Sequence, residues 1–562
     1  MLVLAQISQV QHVVIVIQEN RTADNLFGSD AYNVPRKLPG AHFATQGQCW
    51  HYDSNQNKVE ETIPLYPDSL ATCYDPSHQH GDWSTMWDQG AMDGACQVSY
   101  GTKCTPTTYC PHSDYWTYCP QMTYVDNTEH IIDPYFQIAQ QFGYANYMFQ
   151  TNQGPSFPAH QFLFSGSSAP VGYSSSNPPT CKVPGNQYKS YPCYKWFDSE
   201  NVTTPVANGH SGCLADYENP AGSATWGYAL DIDPNIGDPE YAAYTPSDPK
   251  VAYLGFPCYT HNTLIDLFPQ TVTWKYYARS ASDLWTAPTA YDLICQPSGP
   301  GPSGTCTGPA YTNNPPNVIE PNSSYYPGDE APILTDIQKC ALASVNWVIP
   351  DGNWSDHAGD TLPGDAGPSW VAAIVNAIGQ DTTCESGAGY WSDTVILITW
   401  DDWGGYYDDI LPPDCAVPNQ NCTGYSNGTG QQYVYGFRVP LLVVGAYAIP
   451  GYVSGANINS PNCAPPSTYC HDFGSILNFT EYAFGLPQGG IGNAKWPFAD
   501  ALVMDTQPSP PNNYSLYDFF QFNKPGHTFK PITGAKYPPS CFHTPISCWP
   551  SPSVYPAPPD SD

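Results

Sequence analysis

The sequence predicts an α/β fold in which a central, mostly parallel β-sheet is flanked by helices and carries long, disulfide-tied loop insertions. Two fully apolar runs, Val13–Ile17 and Val395–Ile398, indicate the sheet. Strands without polar residues are needed where both faces of a sheet are covered, which is the usual state of parallel sheets. Apolar residues between Phe136 and Phe142 follow the spacing of a helix packed on such a sheet.

Two further elements fit this α/β pattern. Val439–Ala448 contains another apolar run, "PLLVVGA", and is a candidate strand. Ser475–Leu486 reads as a helix, with Gly485 placed near its C-terminus, where glycine commonly ends helices. We therefore expect helices and strands to continue close to residue 486.

The chain is predicted to form one large domain with insertions. Polar, aromatic and Pro/Gly-rich stretches at about residues 167–250 and 296–332 interrupt the regular elements and are predicted to be surface decorations. From about residue 506 the sequence is rich in proline and poor in apolar runs. We expect residues 1–505 to be the functional domain and residues 506–562 to be a tail packed on its body.

The charge balance excludes some classes of partner. Lys and Arg number 17 against 50 Asp and Glu, so the formal net charge is −33. A protein that binds nucleic acid through phosphates needs a basic surface, and a polybasic membrane contact needs the same, so neither is expected. No apolar run approaches the roughly 18 residues of a transmembrane helix, and an integral membrane segment is not predicted.

The cysteines indicate an oxidising compartment. There are 20 of them and no C-x-x-C pair, which argues against zinc ribbons and thioredoxin-type sites and favours disulfides. The repeated C-x6-C spacing suits small loops, as in Cys415/Cys422, Cys463/Cys470 and Cys541/Cys548, but spacing alone leaves the pairing open. We expect a secreted, periplasmic or extracellular protein, and the excess of carboxylates favours acidic surroundings. The apolar opening Met1–Ala5 is shorter than a signal peptide, so this expectation depends on the cysteines.

Polar side chains directly follow both apolar strands. Glu19 and Asn20 come after the first strand, and Asp401 and Asp402 come after the second. The carboxyl ends of parallel strands meet at one edge of a sheet, where ligands usually bind, and oxygen ligands suit a divalent cation. Two plainer interpretations stay open: an Asx turn at Asp401-Asp402 before Gly404-Gly405, and an ion pair of Glu19 with Arg21 or another partner.

A serine and two histidines are candidates for the chemistry. Ser156 lies between Gly154-Pro155 and Pro158, in a rigid turn where a metal could activate its hydroxyl as a nucleophile. His78 and His357 lie in polar, acidic, turn-rich segments that suit contact with phosphate oxygens. A turn or helix-capping serine and structural histidines are the alternatives.

Together these motifs resemble the phosphoesterase family that contains bacterial phospholipases C and secreted acid phosphatases. The matching stretches, in the family's order, are "HVVIVIQENRTADNLFG", "DPSHQHGDWSTMWDQGAMDG", "GPSFPAHQFLFSG", "DGNWSDHAG", "ITWDDWGGYYDDILPP", "GFRVPLLVV" and "FGSILNFTEYAFGL". The resemblance implies an alkaline-phosphatase-like fold. It also implies a metal and phosphoryl site at Glu19, Asn20, Asp401 and Asp402, a nucleophile at Ser156, and phosphoryl contacts from His78 and His357.

The chain departs from the family pattern in ways that bear on the substrate. Phospholipase C members commonly carry Thr where this chain has Ser156, whereas acid phosphatases can carry Ser. The family's Asn-Arg is here Ala159-His160, and its Asp-His is Asp408-Asp409. The full ligand set of a two-zinc site is not apparent, so one divalent metal ion of unknown identity is expected.

The sequence thus predicts a phosphoric-ester hydrolase of acid phosphatase or phospholipase C type that acts through a phosphoserine. Its substrate is expected to be a small phosphate ester or a phospholipid. The alternative is a secreted carbohydrate- or surface-binding protein on a degenerate phosphoesterase fold, which the 42 Tyr and 16 Trp would suit. A glycosidase is also conceivable, although nothing in the sequence fixes the separation of a carboxylate pair.

Overall fold

A computed structural model describes most of the chain, and an eight-stranded sheet lies at its centre. The described residues are 7–52, 55–72, 74–102, 119–166, 180–181, 191–192, 212–214, 263–281, 283–298, 305–359, 364–413, 435–463, 467–486, 505, 514–544 and 548. In chain order the sheet strands are β1 His12–Gln18, β2 Gly143–Ala145, β3 Trp274–Tyr277, β4 Val318–Ile319, β5 Val345–Val348, β6 Thr394–Trp400, β7 Leu441–Gly445 and β8 Tyr452–Ser454.

The sheet is mostly parallel, as predicted. Its spatial order is β4-β3-β5-β1-β6-β7-β2-β8, and every neighbouring pair is parallel except the two that involve β7. The predicted strands β1 and β6 lie side by side at the centre, paired from His12 with Thr394 to Gln18 with Trp400. All residues of both strands are buried. Their carboxyl ends therefore emerge together at one edge of the sheet.

Helices cover both faces of the sheet. Trp347 of β5 donates its indole N–H to Leu163 O, in the helix Ser156–Ser165. The Trp400 ring of β6 packs edge-on against Tyr135, in the helix Asp133–Gln141. Trp347 pairs with Ile15 and Trp400 with Gln18 of β1, and residues three apart in a strand point to opposite faces, so these two helices lie on opposite faces of the sheet. The α-helices in chain order are α1 Ala23–Phe27, α2 His80–Trp87, α3 Asp133–Gln141, α4 Ser156–Ser165, α5 Asp292–Cys295, α6 Pro309–Thr312, α7 Pro332–Gln338, α8 Gly367–Gln380, α9 Phe473–Phe484 and α10 Ser540–His543.

The later predicted elements are present with shifted ends. The strand expected in Val439–Ala448 is β7, and the helix expected at Ser475–Leu486 is α9, which begins two residues earlier. Gly485 ends α9 with a φ of 64°, the left-handed conformation that glycine adopts without strain. The sequence of β7 does not indicate that this strand runs antiparallel to its neighbours.

Short ribbons and disulfides lie outside the sheet. The ribbon pairs are Gln46–Tyr52 with Lys58–Pro64, Tyr66–Asp68 with Thr123–Val125, Tyr74–Pro76 with Tyr100–Thr102, Met148–Phe149 with His471–Asp472, and Thr180–Cys181 with Tyr191–Pro192. The described disulfides are Cys49–Cys96, Cys295–Cys306, Cys340–Cys384, Cys463–Cys470 and Cys541–Cys548. Two of the three predicted C-x6-C bridges are thus confirmed, and Cys415/Cys422 lies outside the described residues.

The predicted insertions are described unequally. Nearly all of residues 167–250 lies outside the described part of the chain, whereas residues 296–332 are largely described. Of the tail, residues 514–544 pack on the body, and Phe542 contacts the rings of Trp354 and Trp370. The division into residues 1–505 and 506–562 stays a prediction. Within the described residues, no helix has the length and apolar character needed to cross a bilayer.

Candidate active site

The polar residues that follow β1 and β6 meet at the edge of the sheet. Glu19, Asn20, Asp401 and Asp402 are all fully buried. The backbone N–H of Asp401 donates to Gln18 O at 3.0 Å, which extends the strand pairing by one step. Oδ1 of Asp401 then accepts the backbone N–H groups of Asn20, at 2.9 Å, and of Asp402, at 2.7 Å. One carboxylate oxygen therefore fixes both turns.

Asp402 uses one carboxylate oxygen for a turn and the other for the polar cluster. Oδ1 of Asp402 accepts the backbone N–H of Gly404 at 2.6 Å, so the predicted Asx turn exists. The other oxygen, Oδ2, lies 3.3 Å from Ser156 Oγ. Gly404 has a φ of 60°, and a Cβ at this position would lie 2.3 Å from Asn20 O. The glycine thus lets the two turns touch.

Ser156 is the first residue of α4, where unpaired backbone N–H groups and the helix dipole favour negative charge. The turn before it is held by Asn152, whose side-chain amide donates to Gly154 O at 2.8 Å. Oγ of Ser156 lies within hydrogen-bonding distance of three oxygens from the two strand ends. These are Glu19 Oε2 at 3.4 Å, Asn20 Oδ1 at 3.4 Å and Asp402 Oδ2 at 3.3 Å.

Both predicted histidines border this cluster. Nδ1 of His78 lies 2.8 Å from Pro76 O, which requires the hydrogen on Nδ1, and Nε2 then accepts from Asn20 Nδ2 at 3.0 Å. His78 therefore orients the amide whose oxygen faces Ser156. Nδ1 of His357 donates to Ala358 O at 2.7 Å, and the two imidazole rings are 5.9 Å apart.

Gln18 and Arg21, which flank the Glu-Asn pair, anchor the loop that carries His357. Gln18 Oε1 accepts the backbone N–H of Asp356 at 3.1 Å, and Arg21 Nε donates to Asp356 O at 2.8 Å. Arg21 also donates to Asn25 Oδ1 and Leu70 O. The described contacts of Arg21 do not include Glu19, whereas His160 Nε2 lies 3.1 Å from Glu19 Oε1 and is a candidate for the other partner.

The carboxyl of Asp356, adjacent to His357, is itself buried in the same anchor. Its Oδ2 accepts from Tyr135 OH at 2.7 Å and from Trp400 Nε1 at 3.0 Å. Burial raises the pKa of Asp356 to about 6, and these two donors and Arg21 only partly oppose the shift. The His357 loop is thus tied to α3, to β6 and to the residues after β1.

His160 and Trp285 belong to the site but were not predicted to. Nε2 of His160 lies 3.1 Å from Glu19 Oε1 and 3.7 Å from Asp401 Oδ2. Burial lowers the pKa of His160 to about 4, although the Asp401 charge acts in the opposite direction. The Trp285 indole lies 6.4 Å from the His160 ring and 6.2 Å from that of His357. The one hint in the sequence was spacing, because residues four apart share a helix face and His160 follows Ser156 by four.

This donor set fits a divalent cation. One ligand atom from each of Glu19, His160 and Asp401 lies within 4.8 Å of the other two, and all three residues are buried. Oδ2 of Asp401 accepts no hydrogen bond from the described residues, which is costly for a buried carboxylate without a cation beside it. Carboxylate, amide and imidazole donors are those of hard and borderline divalent ions.

A second acidic group, Asp24, Asp408 and Asp409, is occupied by an arginine. Arg438 Nε donates to Asp408 Oδ1 at 3.0 Å, and its NH2 group donates to Asp24 Oδ1 at 2.9 Å. Asp409 lies 2.7 Å from Nε2 of His42, so a histidine from elsewhere in the chain stands beside the position where the family pattern has His. This group is an ion-pair network and not a second cation site.

Comparison with known proteins identifies the family. The Phosphoesterase family matches residues 10–487. The chain belongs to this family. It is 21% identical over 543 residues to a non-hemolytic phospholipase C of Pseudomonas aeruginosa, covering 90% of this chain and 58% of the relative. It is 24% identical over 534 residues to a hemolytic phospholipase C of the same organism, covering 91% and 56%. The chain therefore spans just over half the length of these two relatives.

A shorter match extends to other organisms. Phospholipase C A of Mycobacterium tuberculosis is 29% identical over 132 residues, which is 22% of this chain and 23% of the relative. Family membership and these relatives confirm the resemblance seen in the motifs and support phosphoric ester hydrolysis. They leave the roles of Ser156, His78, His357 and the strand-end residues as predictions.

Proposed function

We propose that this member of the Phosphoesterase family is a secreted, metal-dependent phosphoric-ester hydrolase that acts through a phosphoserine on Ser156. One observation carries the proposal: a serine hydroxyl at the N-terminus of α4 faces oxygens of Glu19, Asn20 and Asp402 at 3.3–3.4 Å. A hydroxyl of merely structural importance has no need of three buried acceptors from two strand ends. An activated nucleophile needs both groups that take its proton and a site for an anion.

The metal would be held by oxygens of Glu19, Asn20, Asp401 and Asp402. When bound, a divalent cation favours the deprotonated serine and offsets the charge of the phosphoryl oxygens. The backbone N–H groups at the start of α4 would face those phosphoryl oxygens. The protein's own contribution is mainly position, because phosphoryl transfer depends on alignment and on electrostatic stabilisation.

Ser156, Asp402 and His357 supply the groups for the covalent step. Ser156 Oγ forms a bond to phosphorus while the bond from phosphorus to the leaving oxygen breaks. The serine proton passes to a facing carboxylate, for which Asp402 Oδ2 is at 3.3 Å. His357, with Nδ1 fixed on Ala358 O, would deliver a proton to the leaving oxygen from Nε2. Water then attacks phosphorus while the bond from phosphorus to Ser156 Oγ breaks. A proton of the water passes to His357, and the proton held by Asp402 returns to Ser156.

His78 has a supporting part in this proposal. Its Nε2 accepts from Asn20 Nδ2, which turns Asn20 Oδ1 toward the nucleophile. The earlier expectation that His78 contacts the phosphoryl oxygens directly stays a prediction. In the arrangement described here, its first effect is on Asn20.

The substrate class follows from chemistry shared by the relatives and the site. The relatives are named as phospholipases C. The serine at the nucleophile position is the residue that acid phosphatases of the family can carry. We propose phosphate esters as the substrate class, with a small aryl or alkyl monoester and a phospholipid as its two members to compare. Secretion is proposed from the disulfides.

Replacing Ser156 with Ala tests the nucleophile. We expect turnover of an aryl phosphate to fall by at least about 10³-fold, since the covalent path is lost. Acid-quenched wild-type enzyme should carry a phosphoryl group on Ser156, found by peptide mass spectrometry. Ser165→Ala is the matched control, because Ser165 ends the same helix and donates to Gln161 O. Wild-type turnover in Ser156→Ala would contradict the assignment.

The binding-protein alternative predicts a different result. Hydrolysis should then be absent for the aryl phosphate and for a phosphatidylcholine vesicle, with every divalent ion and across pH 4–8. Activity that disappears with a chelator and returns with a divalent ion supports the enzyme. A protein that instead binds oligosaccharides without hydrolysing phosphate esters would be the degenerate form.

A further inference from the structure

The helix that begins with Ser156 presents a second side chain to the strand ends. His160 lies one turn after Ser156 in α4, and both residues are fully buried. Its Nε2 does not face the same oxygens as the serine. It lies 3.1 Å from Glu19 Oε1, whereas Ser156 Oγ lies 3.4 Å from Glu19 Oε2. Glu19 is therefore shared between the nucleophile and the imidazole, with one oxygen for each.

Asp401 is divided in a similar way. Its Oδ1 accepts the backbone N–H groups of Asn20 and Asp402. Its Oδ2 accepts no hydrogen bond within the described residues and lies 3.7 Å from His160 Nε2. A fully buried carboxylate oxygen aimed at an imidazole nitrogen, and left without a hydrogen-bond donor, is an unused ligand atom.

His160 Nε2 thus lies beside one oxygen of each carboxylate, Glu19 Oε1 and Asp401 Oδ2. One ligand atom from each of the three residues lies within 4.8 Å of the other two. Two ligands that each lie about 2.1 Å from one metal are themselves about 3–4 Å apart at usual angles, which matches the 3.1 and 3.7 Å separations. Nδ1 of His160 makes no hydrogen bond to the described residues, so the ring can carry its hydrogen there and present Nε2 as a lone pair.

We propose that His160 is a direct ligand of the divalent ion, so that this site has mixed nitrogen and oxygen ligands and selects a first-row transition ion over Mg²⁺ and Ca²⁺. The inference rests on the proposed function for the presence of a metal, and goes beyond it in naming an additional ligand and the class of ion. Imidazole suits Zn²⁺, Fe²⁺, Ni²⁺ or Cu²⁺, whereas Mg²⁺ and Ca²⁺ prefer oxygen alone.

The same geometry would also arise if His160 only donated a hydrogen bond, and the experiment must distinguish this role from that of a metal ligand. His160 could donate a hydrogen bond from Nε2 to Glu19 and only hold that carboxylate in place. His160→Gln distinguishes the two roles, because the glutamine amide keeps an N–H donor of similar reach but lacks the imidazole. His12→Gln is the matched control: His12 is also buried, and its Nδ1 contacts Ala343 O at the opposite end of β1.

The measurement is metal affinity of the full-length protein, by equilibrium dialysis with Zn²⁺, Mn²⁺, Mg²⁺ and Ca²⁺ separately. Wild type and His12→Gln should bind Zn²⁺ at least about tenfold more tightly than Mg²⁺ or Ca²⁺. His160→Gln should lose about 100-fold in Zn²⁺ affinity. Removing a residue that only hydrogen-bonds a metal ligand already costs about 10- to 100-fold, and removing a ligand should cost at least the upper end of that range. Thermal unfolding and circular dichroism identify a variant that has lost affinity by losing its fold.

A spectroscopic readout is independent of both affinity and activity. Pulsed electron paramagnetic resonance of the Mn²⁺-loaded wild type should show coupling to a coordinated imidazole nitrogen, and this coupling should be absent from His160→Gln. Unchanged affinity and unchanged nitrogen coupling in that variant would overturn the role of His160, even if Ser156→Ala is inactive and the proposed function stands. A wild type that forms a phosphoserine but prefers Mg²⁺ or Ca²⁺ would overturn the ion selectivity.

Discussion

Asn20 shows at the scale of one residue how the site is assembled. Its φ of 62° is in the left-handed region, which residues other than glycine seldom adopt and which is common at functional sites. That conformation follows directly from the end of β1. It lets the backbone N–H reach Asp401 while the side chain lies between Ser156 and His78. Backbone strain here positions three contacts at once.

Gly404→Ala tests this close approach. The new Cβ would lie 2.3 Å from Asn20 O, and a φ of 60° adds roughly 1–2 kcal/mol of left-handed strain. We expect folding to be destabilised by more than the strain alone, and kcat to fall as Asn20 is displaced. Urea unfolding and aryl phosphate kinetics measure the two effects.

Gly328→Ala separates strain from clash. Gly328 is exposed and has a φ of 73°, but a Cβ there meets nothing within 4 Å. This variant should lose only the strain and keep wild-type kcat. Equal losses in the two variants would show that the contact between Gly404 and Asn20 is unimportant.

Most of the candidate residues could be predicted from local sequence, and two could not. Glu19, Asn20, Asp401 and Asp402 follow apolar strands directly, so their place at the sheet edge follows from the strand pattern. His160 lies inside a helix whose residues are all buried, and no polar face marks it as different from a core residue. Trp285 reaches the site from a segment far away in the chain, and only the tertiary fold brings it to His160 and His357.

At the scale of elements, the Arg438 network connects three separate parts of the chain. Arg438 precedes β7, Asp24 is in α1, and Asp408 follows the Asp402 turn after β6. All three side chains are fully buried. Burial raises the pKa of Asp408 to about 6, although Arg438 acts against this shift. The guanidinium thus balances carboxylates that would otherwise be buried without a cation.

Arg438→Met should destabilise the fold strongly. Removing one member of a buried ion pair typically costs about 3–5 kcal/mol, because the remaining charge is left uncompensated. Lys536→Met is the control, since Lys536 pairs with Asp365 at the surface and should cost below about 1 kcal/mol. Urea denaturation of both variants with disulfides intact gives the comparison. A loss below about 1 kcal/mol for Arg438→Met would mean that the network is not stabilising.

Some elements can be predicted from the local sequence, and others depend on residues that are distant in the chain. β1 and β6 were visible because a strand covered on both faces must be apolar throughout. The direction of β7 was not visible, because an antiparallel strand that is also fully buried has the same apolar pattern. The Arg438 network could not be predicted either, since its charges are 414 and 30 positions apart in sequence.

At the scale of the whole molecule, a buried histidine joins the body to the chain beyond residue 504. Nδ1 of His471 donates to Asp505 Oδ2 at 2.7 Å, and Nε2 donates to Ser454 Oγ at 2.9 Å. The Ser454 hydroxyl donates in turn to Asp518 Oδ2. Serine, histidine and aspartate are in line, but the serine proton is already committed to a second aspartate. The arrangement is therefore a structural clamp and not a second nucleophilic triad.

The clamp should make stability depend on pH. Burial alone would lower the pKa of His471, but Asp518 and Asp505 outweigh it and the pKa is raised above its ordinary value of 6.5. A raised pKa stabilises the fold fully below about 6.5, and this stabilisation is lost as pH rises through the folded-state pKa. The pKa of Asp505 is lowered despite burial, mainly by His471, so its own contribution is lost only in more acidic solution.

His471→Gln should therefore be destabilised most at mildly acidic pH. We expect the difference in unfolding free energy from wild type to be about 3 kcal/mol near pH 5.5 and to shrink as pH rises above neutrality. Urea unfolding of both proteins at several pH values between 5 and 9.5 measures it. A difference that does not change over this range would contradict a charged His471.

The buried position of Asn20 also has a consequence for how the protein can be produced. Asn20-Arg21-Thr22 is an acceptor sequence for N-linked glycans, which are attached to surface asparagines of secreted chains. A glycan added before β1 pairs with β6 would have no room beside Ser156. Thr22 cannot simply be replaced, because its hydroxyl caps α1 by accepting from Asn25 N. Expression in a host that does not glycosylate therefore keeps this site intact.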